Sequence, residues 1–69
     1  MKNCYFKIGS VTQASKAKQE LAKHSIYSRI IKITVQEGCT HALEFNCANK
    51  SAISYILLRA EINFEEYMP

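Results

Sequence analysis

Three cysteines and two histidines are the residues of this 69-residue chain whose types could carry out chemistry. Cys4, Cys39 and Cys47 include no C-x-x-C pair, and His41 follows Cys39 too closely for a zinc finger. The chain has no aspartate, so a Cys-His-Asp hydrolytic arrangement has no third member. These spacings predict no metal centre and no nucleophilic hydrolase. A reactive thiol is the chemistry that remains.

Cys39 is the strongest candidate for that thiol. It stands in "VQEGCTHALEF", where the apolar pattern in the middle of the chain breaks. Gly38 before it can take the positive φ that tight hairpins demand, so the pattern predicts a cysteine at a hairpin tip. Thr40 and His41 are its other turn neighbours. We expect His41 to be a partly buried side chain on the face of the following strand rather than a catalytic base.

For Cys4 and Cys47 the sequence favours a structural role. Cys4 alternates with Phe6 and Ile8, and a cysteine on such a face usually behaves as a small hydrophobic side chain. An odd number of cysteines without an export signal argues against a disulfide framework, so we expect both to be thiols in the cell. Their places at one end of neighbouring strands would still allow a bridge under forced oxidation, if their Cα atoms lie within about 7 Å.

The elements that must position these residues follow from periodicity. "CYFKI" and "YSRIIKITV" alternate as strands, "THALEF" resumes the alternation after the turn, and "INFEEY" is a last short strand around Phe64. "SVTQ" is a capping box in which Ser10 caps the first helix. Asn49 is the expected cap of the second. Each predicted helix has one apolar stripe. The stripe of the first helix is Val11, Ala14, Ala17, Leu21 and Ala22, and that of the second is Ala52, Ile53, Ile56, Leu57 and Ala60.

The order βαββαβ predicts an α+β fold, the ferredoxin-like two-layer sandwich, with a four-stranded antiparallel sheet and two helices on one face. That topology places the central hairpin at the same edge as the start of the first helix, whose free N–H groups favour an anion. The open sheet face would expose Tyr5, Ile30, Ala42 and Tyr67. We therefore expect a weak homodimer at most.

Length and composition limit the function classes. A chain of 69 residues makes one small domain, residues 1–69, and 48% hydrophobic residues with 22% charged ones is ordinary for a globular protein. The run "AISYILL" is too short to cross a membrane, and without a signal peptide we expect a cytoplasmic protein. Residues 1–36 hold seven of the nine basic groups, but no stacking motif accompanies them, which argues against nucleic acid as a partner.

"SVTQASKAKQELAKHS" followed by "IYSRIIKITVQEGCTHALEF" resembles a family of small bacterial domains, the selenium/sulfur carrier-like proteins. The similarity runs to about Glu66. Its most specific part is Gly38 and Cys39 leading into "HALEF", although family members often have glycine where this chain has Thr40.

The resemblance implies a carrier that holds sulfur or selenium on Cys39 as a persulfide or selenopersulfide, between a donor and an acceptor protein, with no cofactor. Such a protein is a carrier more than a stand-alone enzyme. The alternative is a binding or regulatory module that docks through its open sheet face or basic helix, with Cys39 incidental.

Overall fold

The computed structural model describes residues 2–68, with four strands and two α-helices along that range. In chain order the elements are β1 (Asn3–Lys7), α1 (Val11–Lys23), β2 (Arg29–Val35), β3 (Gly38–Asn46), a 3₁₀ turn (Cys47–Asn49), α2 (Lys50–Arg59) and β4 (Glu65–Tyr67). The predicted α+β class and element order are therefore confirmed. The last strand begins after Phe64, which is half-buried against the core.

The four strands form one antiparallel sheet in the order β2-β3-β1-β4. β3 and β1 are its central strands, with Phe6 opposite Leu43 and Cys4 opposite Phe45. β4 pairs with β1 only from Tyr5 to Lys7. Among residues 2–68, no strand therefore pairs with the outer edge of β1 at Asn3 and Cys4.

The core fills the space between both helices and one face of the sheet. Phe6, Leu43 and Phe45 supply the sheet side, and register places them on a common face because paired residues point the same way. The helices contribute Ala17, Leu21, Ile53, Ile56 and Leu57, and Ile62 closes the cluster from the segment before β4.

Two of the residues predicted to be exposed on the open sheet face, Ile30 and Ala42, are not, and Ala42 is fully buried. Ile30 is opposite Leu43 and packs against the core, so it belongs to the helix side. Ile31 and Ile33 occupy the other face instead. Both faces of β2 carry isoleucine, so alternation alone does not choose between them, and the register set by the hairpin does.

The helices begin and end largely as their sequences predict. Ser10 caps α1, and its Oγ accepts the Gln13 N–H at 3.3 Å. A 3₁₀ turn precedes α2, and the side chain of Asn46 accepts the Ala48 N–H at 2.9 Å, whereas Asn49 makes no side-chain cap. The apolar stripes are narrower than predicted, because Val11, Ala22 and Ala52 are exposed. Within residues 2–68, neither helix has the length and apolar character needed to span a membrane.

Candidate functional site: the Cys39 hairpin

The turn of the central hairpin is shorter than predicted and does not include the cysteine that was expected at its tip. Gln36 and Glu37 make the turn, and β3 already begins at Gly38. Gly38 has the expected positive φ, +124°, and open space on the side where a Cβ would stand. Cys39 is consequently the second residue of a strand, opposite Thr34, rather than the tip itself.

The thiol of Cys39 is free and exposed. Its strand end meets the segment that leads into α1, because the carbonyl oxygen of His41 accepts the N–H groups of Ile8 at 2.9 Å and Gly9 at 3.3 Å. The Cβ position of Gly9 is 4.0 Å from the Thr40 hydroxyl oxygen. These contacts hold the beginning of β3 at the sheet end where α1 starts, as the topology predicts.

Three polar side chains share the sheet face of Cys39 at its end of the sheet. Thr34 is directly opposite, His41 is two residues further along β3 and half-buried, and Lys32 is opposite His41. Lys32 is thus the diagonal neighbour of Cys39, and diagonal neighbours lie roughly 7–8 Å apart, within reach of a long side chain. Lys32 was missed by the sequence argument, although counting residues back across the hairpin would have identified it.

Charges near this end are of both signs. Lys32 is exposed and makes no ion pair within the described chain. The first turn of α1 has no acidic residue, so its positive end is not neutralised by its own side chains. The negative charge of Glu37, in the turn, counteracts Lys32 and the positive end of α1, and it would repel an anion at Cys39.

The opposite face of the sheet carries a separate polar cluster. The Tyr5 hydroxyl donates to Oε2 of Glu44 at 3.1 Å, and Arg29 forms an ion pair with Oε1 of the same carboxylate at 2.8 Å. This hydrogen bond, followed by desolvation and the charge of Glu44, raises the pKa of Tyr5, while Arg29 lowers it. The cluster and Cys39 lie on opposite faces of the sheet, because Glu44 and Cys39 are an odd number of residues apart on β3.

Cys4 and Cys47 form a disulfide, with Cα atoms 5.0 Å apart. The expectation of two thiols was wrong, whereas their predicted proximity is confirmed. β1 begins where β3 ends, so residues 43 positions apart in the chain become neighbours. Both cysteines are half-buried. This pair is at the other end of β3 from Cys39, since Cys4 is opposite Phe45, and six residues of strand span about 20 Å.

Within residues 2–68, no group of three or more histidine, cysteine, aspartate or glutamate side chains is arranged to hold a metal ion. The chemistry available at the Cys39 end is accordingly that of a single accessible sulfur. Lys32 and His41 share the sheet face of that sulfur, and α1 starts at the same end of the sheet.

Comparison with known proteins identifies the family of this chain. Searches among curated proteins and among solved structures found no similar protein. A family model described as "Putative Se/S carrier protein-like" matches residues 3–69, nearly the whole sequence. The match includes Cys39 and both cysteines of the disulfide. The chain therefore belongs to the Se/S carrier protein-like family.

Proposed function

We propose that the protein carries reactive sulfur or selenium on Cys39 as a persulfide or selenopersulfide. The observation that carries this proposal is the exposed free thiol of Cys39 at a sheet end, in a chain that belongs to a Se/S carrier-like family. Disulfide formation between the other two cysteines leaves Cys39 as the free cysteine of residues 2–68. One free thiol suffices for a carrier, because the donor and the acceptor bring their own reactive groups.

The loading step is a transfer of sulfane sulfur from a donor persulfide. The Cys39 thiolate attacks the outer sulfur of the donor, the sulfur–sulfur bond of the donor breaks, and the donor leaves as a thiolate. Atoms and electrons balance without a further oxidant or reductant. Unloading is the same reaction in the opposite role, with an acceptor thiolate attacking the outer sulfur held by Cys39.

Neighbouring residues would favour this step in different ways. Gly38 leaves open space beside the thiol, so the backbone of a partner can approach closely. Lys32 and the start of α1 would stabilise the terminal anion of a persulfide, and His41 would supply or accept a hydrogen bond at the same face. Thr40, which stands where the family often has glycine, places its hydroxyl near Gly9. It would fix the strand end rather than contact the sulfur.

Incubation with a cysteine desulfurase and either cysteine or selenocysteine, which load the desulfurase as a persulfide or a selenopersulfide, followed by intact-protein mass spectrometry, tests the proposal. We expect one added sulfur or selenium atom, located on Cys39 by peptide mapping. Cys39→Ser should gain none and keep its circular-dichroism spectrum. The double variant Cys4→Ser/Cys47→Ser is the matched control and should load normally. If no donor produces the adduct, the carrier proposal is wrong, and the alternative of a binding or regulatory module is favoured.

We also infer that the fold is the ferredoxin-like split βαβ arrangement. The antiparallel order β2-β3-β1-β4, with a helix between β1 and β2 and another between β3 and β4, supports this topology. In it the face away from the helices carries the half-buried Tyr5, Ile31 and Tyr67, whereas Ala42 on that face is fully buried. Weak self-association through that face stays a prediction. Sedimentation at high micromolar concentration tests it, and an unchanged monomer would remove it.

A further inference from the structure

The disulfide end of the sheet holds a pair of cysteines that the carrier chemistry of Cys39 does not use. Cys4 is on a central strand and Cys47 opens the turn before α2. About 20 Å of β3 separates them from Cys39, so no exchange between the two sites can occur within one chain. Any function of the Cys4–Cys47 pair must therefore be independent of Cys39.

The backbone holds the two cysteines together independently of their bond. Asn3 is opposite Asn46 and Cys4 is opposite Phe45 in the central ladder, and the Cys47 N–H donates to the Lys2 carbonyl at 3.2 Å. None of these contacts needs the disulfide. Reduction should consequently leave two thiols side by side, in position to close again without refolding.

The pair also has an entrance. Because β4 ends its pairing at Tyr5, the outer edge of β1 at Cys4 borders a cavity of about 330 Å³. Tyr5, Tyr67 and Met68 give it mainly apolar walls, and an ion pair between Lys50 and Glu66 lies at its side. The volume and lining suit a small uncharged organic molecule. Cys4 lines this cavity, whereas Cys47 is not among its lining residues, so a reagent in the cavity reaches the disulfide from the Cys4 side.

We infer that Cys4 and Cys47 form a second redox site, a reversible dithiol/disulfide couple that exchanges with low-molecular-weight thiols entering through this cavity. A thiolate of the small molecule attacks the Cys4 sulfur, the Cys4–Cys47 bond breaks, and Cys47 leaves as a thiolate. A second thiol then displaces Cys4 from the mixed disulfide. The small molecule departs as a disulfide, and the chain retains two electrons and two protons as two thiols.

Redox titration of the folded Cys39→Ser protein with mixtures of reduced and oxidised dithiothreitol tests this inference. Thiols are counted after acid quenching and alkylation, and circular dichroism follows the fold. We expect a single passage from no thiols to two, the same midpoint from both directions, and an unchanged spectrum. Cys4→Ser/Cys39→Ser, with only Cys47, should give mixed or intermolecular disulfides instead. Reduction that needs denaturant, or that removes the native spectrum, would show a structural bond only and overturn the inference.

A separate variant tests whether the reagent enters through the cavity. Met68→Trp fills the entrance and should slow reduction by dithiothreitol about fivefold or more without moving the midpoint, since access affects the rate and not the equilibrium. Leu58→Trp, at an exposed position on α2, is the control and should change neither quantity. Equal rates in both variants would place the attack elsewhere. Loading of Cys39 is not measured in these experiments, so their outcome is distinguishable from that of the carrier proposal.

Discussion

The two ends of β3 present sulfur in opposite ways. At its beginning, Cys39 is exposed and free, next to a turn and diagonal to Lys32, which makes no ion pair among residues 2–68. At its other end, the sulfurs of Cys4 and Cys47 are half-buried and bonded to each other. Both ends belong to one sheet, and the same strand supports both.

The difference lies in what the neighbouring chain supplies. The hairpin end has only a short turn and the segment that enters α1, so nothing covers the thiol. At the far end, the start of β1 and the turn before α2 converge, which brings a second cysteine within bonding distance. The fold thus isolates one sulfur for contact with other molecules and pairs the other two.

Alkylation of the native protein should show the largest contrast. Iodoacetamide without reductant is expected to label Cys39 fully and to leave Cys4 and Cys47 unmodified, because a disulfide offers no thiolate to alkylate. Mass mapping of the peptides measures all three positions at once. Prompt labelling of Cys4 in unreduced protein would show that the two ends do not differ in this way.

Removal of the disulfide should lower stability far more than removal of the Cys39 thiol. The bond joins residues 43 positions apart, and loop-entropy arguments assign such a bond about 4 kcal/mol, with about 2–4 kcal/mol usual in practice. The variant Cys4→Ala/Cys47→Ala should therefore unfold at a clearly lower urea concentration. Cys39→Ser, an exposed change, should stay within about 0.5 kcal/mol of the parent protein. Equal losses in the two variants would contradict the comparison.

Sequence alone gave the element order, the Ser10 cap and the place of Cys39 near the hairpin, because each depends on local patterns. It placed Ile30 on the wrong face, since that choice depends on a register that strands with isoleucine on both sides do not reveal. The disulfide was missed for a different reason. The predicted topology already placed Cys4 and Cys47 at one end of neighbouring strands, but an odd number of cysteines without an export signal favoured thiols over a bond.

A backbone change beside Cys39 should have an intermediate effect. Gly38 has φ +124°, a conformation that side chains resist, whereas Gln36 and Glu37 keep negative φ values. Gly38→Ala should cost about 1–3 kcal/mol and disturb the strand end that presents the thiol. Glu37→Ala is the matched control at an exposed turn position and should cost little. Chemical denaturation compares the two, and a harmless Gly38→Ala would mean that the turn relaxes without strain.

The smallest expected effect tests whether the two faces of the sheet are independent. Tyr5 adjoins Cys4 in the chain, but its hydroxyl is bound to Glu44 on the face away from the core. The folded protein has a raised Tyr5 pKa and so holds this proton more tightly than the unfolded chain does. The resulting stabilisation is present below the ordinary pKa of tyrosine and is lost as the pH rises through the folded value.

Ultraviolet titration, taken as the difference between the parent protein and Tyr5→Phe, measures the pKa of Tyr5. Glu44→Gln should lower it toward the ordinary value, because the main cause of the shift is the hydrogen bond to that carboxylate. Reduction of Cys4 and Cys47 should leave it unchanged, and a clear shift on reduction would show that the disulfide end is coupled to the open face.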